Sequence, residues 1–326
     1  MPPGPVSGPF VSVVTSPGVL WMLCILGLFL RMLVRPAENA APKIIIMILV
    51  LAFEPFSIVA VMNAENRAIP MKFDYYLYLI DNGLGLSSFW VARSLTEGQR
   101  SVLLLIYKSL AAVMIVWYGI NLLRRDGRPR RLLAAYIITY LVGPCLYLIV
   151  PACGPRHAFG SAFPYGNPSV LPVLVPINYW PNAIPSLHVA TALLFVFFAG
   201  RSLPLRGLAW VYLSATAVAT LAFEHYVIDL VVAVPFACFA ASAARSRFAS
   251  ALANLTVAGA WLVSIRFDTP GLISHPPLLK VLALATLAIA VISLWSGQEH
   301  GWPGSFRWRP RMPAPVVASP PHVAGG

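Results

Sequence analysis

What most limits the folds open to this chain is a succession of apolar runs, each about 16–22 residues long, separated by short loops where arginine is concentrated. A backbone inside lipid finds no water to bond. Each run must therefore satisfy its own N–H and C=O groups, and an α-helix does so within one segment. The runs fall at about nine places: residues 18–34, 44–62, 102–123, 132–150, 184–199, 203–223, 226–244, 249–265 and 278–295. Hydrophobic residues make up 59% of the chain and charged residues 10%, with a mean hydropathy of +0.77, which excludes a soluble domain. The expected fold class is all-α, a polytopic integral membrane bundle of about nine transmembrane helices. Several runs are short for a span and should stand nearly upright or extend into the interface.

The formal charge of +12 raises the question of nucleic acid as a partner. The cations, however, fall in short loops: Arg31, Arg35 and Lys43, then Arg124 to Arg131, Arg201 and Arg206, Arg245 and Arg247, and Arg307 to Arg311. These loops share one side of the bundle, as topology-setting arginines do, and no nucleic-acid partner is expected. The opposite side includes Glu65, Asp74, Asp81 and Glu97. The positive-inside rule then places the amino terminus outside, in a multi-pass protein of a bacterial inner (plasma) membrane. Residues 1–17 read as an extracytoplasmic tail without a basic signal region, 18–296 as the transmembrane domain, and 297–326 as a Pro/Gly-rich, disordered cytoplasmic tail. Residues 73–92, interrupted by Asp74 and Asp81, fit an interfacial or re-entrant helix better than a span. Glu54 and Lys108 are intramembrane charges, readable as functional groups, a mutual pair or snorkelling residues. The four cysteines, Cys24, Cys145, Cys153 and Cys238, have no metal-ligand spacing and read as packing residues.

Within this frame one stretch carries chemistry. Asn182-Ala-Ile-Pro-Ser-Leu-His188 precedes about two crossings, and Glu224-His225-Tyr226-Val-Ile-Asp229 follows them. His225 and Asp229 are spaced i, i+4, so they share a helix face, and the carboxylate can accept the Nδ1 proton and leave Nε2 free as nucleophile or base. Ser186 and His188 add a hydroxyl and a second imidazole. Arg156, in Pro151-Ala-Cys-Gly-Pro-Arg156, follows the outer end of the preceding helix. Two crossings return the chain to the same face, so Arg156, His188 and His225 all meet the extracytoplasmic side.

Pro185-Ser-Leu-His188 and His225-x-x-x-Asp229 resemble the second and third signature motifs of the type 2 phosphatidic acid phosphatase superfamily, and Gly154-Pro-Arg156 resembles a form of its first motif. The resemblance covers residues 132–244. The leucine in Pro-Ser-Leu-His and the His-Tyr-x-x-Asp form are most similar to the inositol phosphorylceramide synthase branch. It implies a six-helix phosphatase-like core and a phosphohistidine intermediate on His225, oriented by Asp229. His188 would serve as acid and base, and Arg156 and Ser186 as phosphate ligands, with no metal and no cofactor. It implies membrane lipids as substrates: a phospholipid or lipid phosphate donor, and a lipid alcohol or water as acceptor.

Two positions depart from the superfamily pattern. Ile149 stands where a lysine is expected and Ala219 where an arginine is expected. A site short of two cations suits a phosphodiester better than a phosphate monoester, which favours headgroup transfer between lipids. The alternatives are a lipid phosphate or polyprenyl diphosphate phosphatase and, from another class, a lipid-binding or transport protein without catalysis. A transporter should gather its polar residues at the bilayer midplane, whereas these gather at one interface.

Overall fold

The computed structural model describes residues 58–123, 128–166, 175–200, 202–268 and 271–299. Twelve helices follow one another: α1 (58–68), α2 (Asp74–Leu84), α3 (Ser88–Ser94), α4 (Glu97–Lys108), α5 (Leu110–Leu123), α6 (Arg128–Tyr147), α7 (Pro155–Phe159), α8 (Leu187–Phe198), α9 (Leu203–Phe223), α10 (Val227–Ala243), α11 (Phe248–Phe267) and α12 (Pro276–Glu299). The only extended pairing among the described residues is antiparallel, between β1 (Met71–Lys72) and β2 (Val175–Pro176), with Met71 opposite Pro176. It ties the chain ahead of α8 to the segment just before α2.

Local chemistry sets several of these boundaries. Ser87 caps α3 by accepting the Phe89 amide at 3.2 Å. Thr96 and Gln99 form a reciprocal capping box at the start of α4. Gly85, with φ of 80°, ends α2 in the left-handed conformation, so residues 73–92 form two helices rather than the single segment the sequence suggested.

α10 lies at the centre and packs against α6, α8, α11 and α12; α8 also packs on α9, and α9 on α3 and α4. In lipid the hydrophobic effect does not drive helices together, and close packing of small residues takes its place. α10 accordingly buries Ala233, Ala237, Ala240 and Ala241. Gly143 of α6 lies against Leu187, where an added Cβ would meet Leu187 Cδ2 at 2.4 Å. One core cluster, around Leu77, Ile184, Tyr226, Ile228 and Phe236, underlies the motif-bearing end. A second, around Met114, Trp117, Tyr136 and Phe195, fills the other end.

Among the described residues two helices, Leu203–Phe223 and Phe248–Phe267, are long and apolar enough to cross a membrane, and a third span exists if the bent pair α4–α5 counts as one. The runs at 18–34 and most of 44–62, with Glu54, lie outside the described residues. The run at 102–123 bends by 55° between α4 and α5, and Lys108, exposed, sits at that bend rather than within a straight span. The run at 184–199 loses its first residues to the turn before α8. Its 12 helical residues rise about 18 Å against the roughly 30 Å of a bilayer core. α6 opens on Arg128, Arg130 and Arg131, which interrupts its apolar length.

Candidate active site

The site is assembled from three chain turns at one end of α8 and α10. The first is the start of α8. Asn182 and Ala183 both donate their amides to the Ala152 carbonyl at 2.9 Å, which holds the approach segment against the end of α6's extension. Ser186 then caps α8, its Oγ accepting the Val189 amide at 3.4 Å, and places His188 in the first turn. His188 is half-buried, and its ring stacks on Tyr107 of α4 with centroids 3.9 Å apart and planes 12° from parallel.

The second turn joins α9 to α10 and carries His225. Its ring centroid lies 6.5 Å from that of His188, at 62°. His225 Nδ1 lies 2.7 Å from the Ala183 carbonyl and 3.3 Å from Asp229 Oδ2. A carbonyl oxygen only accepts, so Nδ1 carries the proton and Nε2 of the neutral ring holds the free lone pair. The tautomer is the one a nucleophile needs, but its principal holder differs from the sequence expectation. His225 precedes α10 instead of lying on its face. Asp229 is drawn away because Oδ2 also accepts the Tyr226 amide at 2.8 Å, capping its own helix. Asp229 is therefore a secondary acceptor for the imidazole and a structural cap. The Ser186 amide donates to the Asp229 carbonyl at 3.4 Å, which links the two histidine-bearing turns directly.

The third turn carries Arg156. Gly154 has φ of 85° and ψ of 160°, a region essentially closed to residues with a Cβ. A Cβ built there would stand 1.8 Å from the Glu224 carbonyl oxygen, so the turn rests directly on the backbone beside His225. Pro155 opens α7, and Arg156 in its first turn is exposed. His157 Nε2 lies 2.8 Å from Glu224 Oε2, and the His157 ring stacks on Tyr179 with centroids 3.5 Å apart. The Arg156 turn and the His225 turn are thus joined by backbone contact and by a side-chain pair.

Two carboxylates absent from the sequence reading of the site stand behind these turns. Asp74, fully buried, accepts the Gly154 amide at 2.7 Å, the Cys153 amide at 3.0 Å and the Tyr226 hydroxyl at 2.9 Å. Asp81, also fully buried, accepts the Val227 amide at 2.9 Å and the Ile228 amide at 3.1 Å. Bonds to a charged acceptor contribute about 1.5–3 kcal/mol each. Burial pushes the Asp74 carboxyl up to about 6, against the lowering effect of its donors. Burial also raises Asp81 well above the usual carboxylate range. The two acids that interrupt the apolar stretch 73–92 are both buried and point inward. His157, Glu224 and Tyr107 were equally unassigned. The signal available for the pair was an i, i+7 repeat of acids in an apolar stretch, which puts both on one face of a helix.

Neither missing cation has a substitute at its own position. Ala219 is fully buried and Ile149 packs half-buried against the core. The three turns place at one end of α8 and α10 an imidazole protonated on Nδ1, a second imidazole, an arginine and a capped helix start, groups of the kinds that phosphoryl transfer uses. A family model of the PAP2 superfamily matches residues 76–243, slightly more than half of the chain. The chain belongs to the PAP2 superfamily. That span includes Asp81, Arg156, Ser186, His188, His225 and Asp229, and begins just after Asp74. The PAP2 superfamily consists generally of phosphatases acting on phosphate esters, so the chain is a phosphatase- or phosphotransferase-type lipid enzyme of a membrane. No curated protein and no solved structure matches it.

Proposed function

We propose that this PAP2 protein transfers a phospho-headgroup, of the inositol-phosphate kind, from a phospholipid to a lipid alcohol through a phosphohistidine on His225. The observation that carries the reading is the 2.7 Å contact between His225 Nδ1 and the Ala183 carbonyl, which leaves Nε2 as the lone-pair nitrogen. In the first half-reaction Nε2 attacks phosphorus, the bond to the departing lipid oxygen breaks, and protonated His188 gives that oxygen its proton. Arg156 offsets charge on the non-bridging oxygens, and Ser186 Oγ–H is available to donate to them. Asp229, 3.3 Å from Nδ1, stabilises the cationic ring. In the second half-reaction neutral His188 takes the proton of the acceptor hydroxyl, the acceptor oxygen bonds to phosphorus, and the P–N bond breaks to restore His225.

The charge inventory favours a diester substrate. With Ile149 and Ala219 at the positions of two family cations, Arg156 is the cation left in the motif set, and it balances one negative charge more readily than two. Hydrolysis of a lipid phosphate or polyprenyl diphosphate is the second reading, since water can take the acceptor's place in the same steps. The arginine distribution supports an extracytoplasmic site. Purified protein given a headgroup-labelled phosphoinositide, with and without diacylglycerol or ceramide, tests the proposal. Label in a new lipid supports it. Free inorganic phosphate from phosphatidic acid, with no lipid-to-lipid transfer, replaces it with the phosphatase.

A further inference from the structure

The remaining polar groups of the outer end converge on α2, a helix that carries none of the three motifs. Asp74 and Asp81 lie two turns apart on its inner face. Asp74 receives only donors, from Cys153, Gly154 and Tyr226. The N-cap residue of α2, Phe73, donates its amide to the Pro151 carbonyl at 2.8 Å, so the same end of the helix grips the Arg156 turn twice. Two turns further on, Asp81 accepts the Val227 amide at Oδ2 and the Ile228 amide at Oδ1, the first two residues of α10, and it also bonds to the Ser88 amide at the start of α3. The face between them is filled by Leu77 and Ile80, both fully buried.

We infer that Asp74 and Asp81 are positioning residues, and that α2 acts as a brace setting the placement of the Arg156 turn relative to His225. The inference rests on the reading of His225 as nucleophile and goes beyond it. Each carboxylate holds a different partner: Asp74 holds the phosphate-binding turn and, through Tyr226 Oη, reaches across to the catalytic turn. Asp81 holds the first turn of the helix that follows His225. Because Asp81 takes the free amides of α10, those amides are spent on the brace and are not donors to the phosphate. The anion site is left to Arg156, Ser186 and the start of α8.

Asparagine is the discriminating replacement. It keeps the shape of aspartate but offers one acceptor oxygen, and its NH2 group faces the second amide as donor against donor. Asp81→Asn should therefore tilt the start of α10 and act on the chemical step, while Asp74→Asn should loosen the Arg156 turn and act on substrate binding. Tyr226→Phe removes one of Asp74's donors alone and serves if Asp74→Asn does not fold.

Wild type, His225→Ala, Asp74→Asn, Tyr226→Phe and Asp81→Asn are purified and compared. The measurements are melting temperature, kcat, KM and vanadate inhibition, using whichever of phosphoinositide transfer or phosphatidic acid hydrolysis wild type supports. The expected result is a fall in kcat of about 10- to 100-fold for Asp81→Asn with KM within about threefold. Asp74→Asn should raise KM and weaken vanadate inhibition by about tenfold, and Tyr226→Phe should do so to a smaller extent. A purely structural role would lower the melting temperature and the active fraction while leaving kcat and KM per active molecule unchanged, and that result overturns the inference. So does an inactive His225→Ala beside Asp74→Asn, Tyr226→Phe and Asp81→Asn variants within about twofold of wild type. A His225→Ala protein that still turns over overturns the reading of the site itself, and the inference with it.

Discussion

Replacing Gly154 by alanine tests the geometry of the site with a single methyl group. The built Cβ lies 1.8 Å from the Glu224 carbonyl oxygen. An ordinary C···O contact is roughly 3.3 Å, so the turn must retreat by about 1.5 Å. The backbone resists as well, because φ of 85° with ψ of 160° belongs to a region used essentially by glycine, at a cost of about 1–3 kcal/mol for other residues. That cost is below the 5–15 kcal/mol that holds a typical domain together, so the protein should fold with a lowered melting temperature. Activity should suffer more. The retreat carries Arg156, two residues on, away from the backbone that leads into His225, and a displacement near 1 Å can cost about 100-fold in rate. The assay is kcat/KM for the purified variant in lipid nanodiscs, with circular dichroism to establish that the helices remain. A Gly154→Ala enzyme within about threefold of wild type would refute the argument that this close approach sets the site.

His225→Ala should abolish turnover with folding intact, measured by product formation and melting temperature. Asp229→Asn should cost less, because the Ala183 carbonyl still holds Nδ1. Ser161→Cys, at an exposed position between α7 and β2 on the side proposed as extracytoplasmic, should react with an impermeant thiol reagent on intact cells once Cys24 and Cys145 are replaced by alanine; labelling only after lysis would invert the topology. Turnover should survive exhaustive EDTA treatment, and loss restored by one divalent ion would require a different mechanism. The Asp74 carboxyl, raised from an ordinary 3.8 to about 6 chiefly by burial, binds more protons in the folded state between those values. Its contribution to stability should therefore fall as pH rises from about 4 to about 6 and stay flat above that; Asp74→Asn should remove this part of the pH–melting profile.

The helical class was legible in the chain itself, and so were the helix start at Ser186 and the approach of Asp229 to His225. A 59% hydrophobic composition in runs of helical length admits few other folds in lipid. Ser186 and His188 sit at a helix start because Pro185-Ser186 is an N-terminal signal that needs no distant contact. The number of spans was less legible, because hydropathy counts apolar residues and cannot see where a turn consumes them, as at 184–186, or where a run bends, as at Ser109. The partners of each side chain were decided by tertiary structure alone. The i, i+4 rule brought Asp229 to 3.3 Å from His225, but the nearer acceptor is a carbonyl 42 residues earlier, which no local spacing encodes. Asp74 and Asp81 looked like breaks in an apolar segment because their partners, Gly154 and Tyr226 to Ile228, are 80 to 152 residues away. Sequence determines which groups a helix presents and at what period, whereas burial of a carboxylate is settled only when another turn of the chain arrives with the amides that make that burial tolerable.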